Sequence, residues 1–245
     1  YGHGFSMLFL SSVVGEEEDP DRRRKLVDVL ERAAKFSHDA QTNRGGWGYV
    51  SARDGQGFDE GSVTITQVQG LRAARNAGIV VPPDAIKNAL KYLTASTNSQ
   101  GGVIYSLAQG GGGDGRPALT AAAISCGFSA GDYSSPLVKK WFRFCHDNLR
   151  GFGGERLGHH DEYTYYYFAQ AIYMLGEDGW AKLFPESKNN GLKWSTFRKT
   201  TFDNLVRSQA GDGSWSGGHV GPVFITAVHL SIMQLDKGAL PIYQR

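Results

Sequence analysis

The sequence predicts an all-α fold, an α/α toroid of inner and outer helices built from helical hairpins, on three observations. An aromatic-and-glycine phrase returns at intervals of roughly 50 to 60 residues. Segments apolar on nearly every side lie between the phrases and tend to stop at a glycine. The other helical stretches are two-sided, mixing charged and apolar residues at helical spacing. A helix apolar all round must be enclosed, whereas one with a charged face borders water. The first kind therefore forms an inner ring, the second an outer ring, and each hairpin buries its neighbour's face.

Taken in chain order, the apolar segments are 5–14, 62–77, 119–130, 163–175 and 223–235. The first four end at Gly15, Gly78, Gly131 and Gly176, where glycine suits a left-handed helix C-cap. The two-sided helices are 22–40, 83–94, 136–148 and 195–208; in the first, Leu26, Val27, Leu30, Ala33 and Ala34 mark the apolar face. Pro82, Pro83, Pro117, Pro136 and Pro222 stand at or just before helix starts, where a missing N–H costs little. The β-branched runs 63–66 and 223–226 also permit a strand reading, although each continues a longer helical pattern.

The recurring phrase begins as Lys35, Phe36, Gln41, Gly45, Gly46, Trp47 and Tyr49, and returns as Tyr92, Leu93, Gln100, Gly101, Gly102 and Tyr105. A weaker copy is Phe144, Gly151, Phe152, Gly153 and Gly154; the sharpest is Leu205, Val206, Gln209, Gly211, Asp212, Gly213, Ser214 and Trp215. These residues resemble the QW-type repeat of the prenyltransferase and squalene-cyclase (terpenoid cyclase) superfamily, and the resemblance runs along essentially the whole chain. It implies the same toroid around an apolar central cavity, a Gln that caps the following helix, and an aromatic residue stacked on it. It also implies an apolar isoprenoid-type ligand, with acid- or metal-assisted chemistry at the rim. The Asp-x-Asp-Asp, Asp-Asp-x-x-Asp and Asp-x-Cys signatures of the superfamily's active members are absent from the sequence.

Composition agrees with a single domain over residues 1–245: 40% hydrophobic and 12% aromatic content suffices for one core. A net charge of +2 argues against a nucleic-acid partner, and Arg22–Lys25 after Glu16–Asp19 reads as a solvated helix entrance. No run reaches the roughly 18 to 20 apolar residues of a membrane span. The chain opens on Tyr1-Gly2-His3-Gly4-Phe5 without an initiator Met, at an inner helix lacking its outer partner, which reads as an excised or processed chain. Cys126 and Cys145 read as buried free thiols, with one bridge or a reactive thiol as the alternatives.

In the toroid the connections entering the inner helices share one end of the ring. They carry His3, then Asp59 and Glu60, then Asp114 and Arg116, then His159, His160, Asp161 and Glu162, then His219. Such groups would line a rim beside helix N-termini. The candidate catalytic residues are His160, Asp161 and Glu162: a carboxylic acid beside a histidine above an aromatic cavity could protonate an alkene, and tyrosine faces could stabilise the cation. The candidate ligand-binding residues are His3, Asp59, Arg116, Tyr163, Tyr166, Tyr167 and His219. The same acids also suit helix capping, and the tyrosines core packing. A zinc site from His3, His160, Asp161 and His219 is a second chemistry, though without fixed ligand spacing. Glycines 110–113 lack the strand and the Lys-Ser/Thr of a phosphate loop and read as a connection. Two other functions compete: a non-catalytic protein-interaction toroid, and an α/α-barrel carbohydrate-active enzyme whose Trp47, Tyr49, Arg116 and Asp161 would grip sugar rings.

Overall fold

The computed structural model describes residues 1–55, 57–110, 112–149 and 161–238. They form α1 (Gly2–Val13), α2 (Pro20–Ala40), α3 (Gly61–Asn76), α4 (Pro83–Ala95), α5 (Pro117–Ser129), α6 (Pro136–Asn148), α7 (Asp161–Leu175), α8 (Gly179–Leu183), α9 (Trp194–Ser208) and α10 (Pro222–Gln234). Short 3-10 segments, Pro185–Asn190 and Leu235–Lys237, follow α8 and α10. The protein is all-α; among the described residues the only β pairing is two isolated bridges, Trp47 with Glu60 and Thr97 with Val103. The strand reading of 63–66 and 223–226 fails because both runs lie inside helices, α3 and α10. In α3 the threonines turn their hydroxyls onto the preceding turn, Thr64 to the Glu60 carbonyl at 2.8 Å and Thr66 to that of Val63 at 2.8 Å.

The helix starts follow from local chemistry. Prolines open α2, α4, α5, α6 and α10. Asp19 caps α2 by accepting from the amides of Asp21 and Arg22, and Ser135 caps α6 through the Val138 amide. Gly78, Gly131 and Gly176 take positive φ after α3, α5 and α7, as expected of them. Gly15 does not: α1 leaves through Val14 in right-handed geometry, so no left-handed residue is needed there.

Burial separates two kinds of helix. α3, α5 and α7 are buried along nearly their whole length, whereas α2 buries only Leu30, Ala34, Ser37 and Ala40, a single stripe. Helices α1, α3, α5 and α7 pack in succession, each on the next, and α10 then packs on α7. Against this row lie α2 on α1 and α3, α4 on α3, α6 on α5, and α9 on α7. Across the row, Gln69 of α3 donates to Gln170 of α7 at 3.0 Å, both side chains buried. The stretch between α7 and α9 holds α8 and a 3-10 segment that the sequence pattern did not announce. Their Trp180 is 4.6 Å from the His146 ring of α6, and the Arg143 guanidinium of α6 lies 4.4 Å over Phe184.

The phrases build one repeated corner. Thr42, Asn98 and Ala210 each donate their amide, at 2.9 Å, to the carbonyl four residues on (Gly46, Gly102 and Ser214). Gly45, Gly101 and Gly213 supply the positive φ that closes each turn. The amides of Trp47 and Val103 then donate to Thr64 and Thr120, each 17 residues further on, and Trp215 donates likewise to Thr226. Both indole N–H groups reach back ten residues, Trp47 to the Ser37 carbonyl and Trp215 to that of Leu205. Gln41 donates to the Gly45 and Ala85 carbonyls, tying the corner to the first turn of α4. In the third copy Gly151, Phe152, Gly153 and Gly154 lie outside the described residues. Cys126 and Cys145 are free and buried, and burial pushes both thiols well up, which makes them unreactive packing residues.

Candidate functional site

The N-terminal ends of the five helices packed in succession line a partly open cavity of about 790 Å³. Tyr1, Gly2 and Phe5 come from the α1 end, Ser62 from α3, Ala118 and Leu119 from α5, Glu162 and Tyr163 from α7, and Phe224 from α10. Tyr49, Tyr105, Arg116, His219 and Val220 complete the wall from the connections between helices. The wall is mostly apolar and aromatic, with few polar groups, the composition of a small-molecule site.

Beside Asp59, two further buried carboxylates stand at this end, Glu60 and Glu162, and their surroundings differ. Glu60, fully buried, is saturated: it accepts from the amides of Ser62 and Val63 at 2.8 and 2.9 Å, from the Ser62 hydroxyl, and from the Tyr1 hydroxyl at 3.0 Å. It is the cap of α3, and a carboxylate there meets the positive end of the helix. Glu162, 1% exposed in the first turn of α7, accepts the His219 backbone N–H on Oε1 at 2.9 Å. Its Oε2 is buried without a hydrogen-bond partner among the described residues. Gly218, at φ +69°, lies so close that a Cβ there would come within 2.9 Å of the carboxylate carbon.

The phenols form two linked groups. Tyr1 bonds Glu60 and also Ser62, while Tyr49 and Tyr105 bond each other through their hydroxyls. Burial, then the nearby Glu60 carboxylate, holds the Tyr1 phenol well above its ordinary range; burial and the bond to Tyr49 do the same for Tyr105. Tyr163 donates to the Ser62 carbonyl at 3.3 Å, and burial drives its phenol far up. All are therefore neutral donors at physiological pH. Arg116 is exposed, its guanidinium 4.9 Å over the Tyr105 ring at the cavity's edge.

Of the residues expected at the site, Arg116, Glu162, Tyr163 and His219 come together in this wall. Tyr167 stacks against Tyr163, centroids 4.6 Å apart, one turn deeper, and is fully buried. Tyr166 points elsewhere, into a crevice with Gln170, Ser231 and Ile232. Asp161 is partly buried and is not among the cavity-lining residues. His3 sits between helices, its Nε2 3.1 Å from the Ala33 carbonyl and its ring 5.0 Å from Phe36. Asp59 is fully buried and spoken for, paired with Arg44 and bonded through its carbonyl by the Ser106 hydroxyl. His159 and His160 lie outside the described residues. Among the described residues no three His, Cys, Asp or Glu side chains converge as metal ligands, and His3 and His219 stand on separate features.

Tyr1, Tyr105, Phe5 and Phe224 were not singled out as ligand-binding from the sequence, and Tyr49 was named only for gripping sugar rings. A signal was present for pairing the two tyrosines: Tyr49 and Tyr105 are 56 positions apart, the same place in successive repeats. No protein-family model matches this chain, and no curated protein matches it by sequence.

Proposed function

We propose that the chain is a prenyltransferase/squalene-cyclase-like α/α toroid that holds an apolar isoprenoid-type molecule in a cavity at one end of its inner helices. The observation that carries this reading is the cavity itself: about 790 Å³, walled by Tyr1, Phe5, Tyr163, Leu119 and Phe224. Its volume matches a small-molecule site, and its wall offers apolar area with a few polar anchors. Among the described residues no helix is long and apolar enough to cross a membrane. Of the acidic pair expected to act at the rim, Glu162 lines the cavity and Asp161 is not among its lining residues, which favours Glu162 as the contact.

The test is calorimetric titration of the purified chain with farnesol, with native mass spectrometry for any lipid that co-purifies. Saturable one-to-one binding, lost in Ala118→Trp, is the expected result, because the indole would occupy the cavity. Absence of farnesol binding and of any co-purified lipid would leave the protein-interaction toroid as the better reading. Should an isoprenoid substrate be consumed, turnover must disappear in Glu162→Gln and survive in Asp161→Asn.

A further inference from the structure

Resting on the cavity reading above, we infer that the bound molecule ends in a protonated amine, held at Glu162 Oε2 and faced by the surrounding tyrosine and phenylalanine rings. Glu162 is a polar group of the wall that the described part of the fold leaves half-used. Its Oε1 is occupied by the His219 amide, whereas Oε2 is buried and has no donor among the described residues, on a side chain that lines the cavity. A buried carboxylate oxygen without a donor carries a desolvation cost that a ligand donor removes. Glu60 makes the contrast, since all its acceptor capacity near the cavity is met by the protein's own donors.

Three features select a cation over other heads. The charge on Glu162 favours a charged donor, whose hydrogen bond is roughly twice as strong as a neutral one. Tyr1, Phe5, Tyr163 and Phe224 add ring faces, which attract an ammonium group in a desolvated setting. A diphosphate or carboxylate head would meet the Glu162 carboxylate with like charge. The one cationic side chain of the described wall, Arg116, is exposed and laid over Tyr105 rather than aimed at Glu162. A carboxylate that holds an ammonium group has no proton to give, so Glu162 on this inference binds rather than protonates.

Three probes with the same chain and different heads test it: farnesylamine, farnesol and farnesyl diphosphate, titrated into the full chain at pH 7. Farnesylamine should bind about tenfold tighter than farnesol, and farnesyl diphosphate weakest. In Glu162→Gln the amide can keep the His219 bond, and the amine's advantage should fall to within about twofold. Farnesol binding by that variant shows that its site is still folded. Equal affinity for amine and alcohol, tighter binding of the diphosphate, or an amine preference that persists in Glu162→Gln would each overturn the inference while leaving the cavity reading intact. No binding by any of the three would overturn both.

Discussion

His229 is enclosed between Trp215 and Tyr165, with ring centroids at 5.3 and 6.0 Å, and neither of its nitrogens has a hydrogen-bond partner among the described residues. Burial pushes its pKa down to about 4, whereas an unfolded histidine titrates near 6.5. The unfolded chain therefore binds a proton between those values that the folded chain refuses. Stability attributable to this residue is complete above pH 6.5 and falls as the pH drops towards 4, with a slope of at most about 1.4 kcal/mol per pH unit. Urea unfolding at pH 7.5, 6 and 5 should show a steeper loss for the native chain than for His229→Leu. Parallel losses would mean that the histidine finds a proton acceptor when charged. The sequence pattern gives no sign of this enclosure. Its character arises from the Trp215 corner closing over α10, a contact between chain segments that periodicity does not reveal.

At the scale of the element, the recurring corner does two jobs that can be separated. Its glycine closes the turn by taking positive φ, and in the first copy it also seats the corner on the next helix. A Cβ at Gly45 would lie 2.2 Å from the Asn88 carbonyl oxygen of α4, whereas one at Gly213 would meet only the tip of Gln209 at 3.9 Å. Gly213→Ala should therefore cost only the left-handed strain, about 1 kcal/mol. Gly45→Ala should cost at least about 3 kcal/mol, because backbone rather than a flexible side chain must move. Equal losses in thermal or denaturant unfolding would show that docking on α4 contributes nothing. The helices were legible because their signals are local: apolar periodicity, prolines at the first turn, acids and serines at caps. α8 was not, since five residues, Gly179–Leu183, carry too little periodicity to register. The rim was half-legible for a related reason. Glu162 and Arg116 could be placed by their position before or at the start of an inner helix, but His3 and Asp59 obeyed the same rule and were taken up by Ala33 and Arg44. Position in a repeat gives the end of the molecule a residue occupies; which way its side chain turns depends on neighbours distant in sequence.

For the whole molecule, the arrangement of contacts predicts an order of opening. α3 is packed between α1 and α5, and α5 between α3 and α7, while α7 carries α5, α9 and α10. α1 packs chiefly on α2 and α3, and α10 chiefly on α7. In a structure built by stacking neighbours, elements with one flank covered open at lower free energy than those covered on both. Amide hydrogen exchange on the 245-residue chain should find the slowest amides in α3, α5 and α7, and earlier exchange in α1 and α10. The cavity adds a further expectation, because its wall takes Phe5 from α1 and Phe224 from α10, two helices more than 200 residues apart in the chain. A molecule bound between them stabilises only the state in which both are in place, by mass action. Saturating farnesylamine should thus slow exchange in α1 and α10 together, and leave α4 and α6, which contribute nothing to the described wall, at their ligand-free rates except as global stability rises. Slowing confined to one of the two helices would mean that the ligand sits on a single wall, and that the two ends of the helical row are not joined through the cavity.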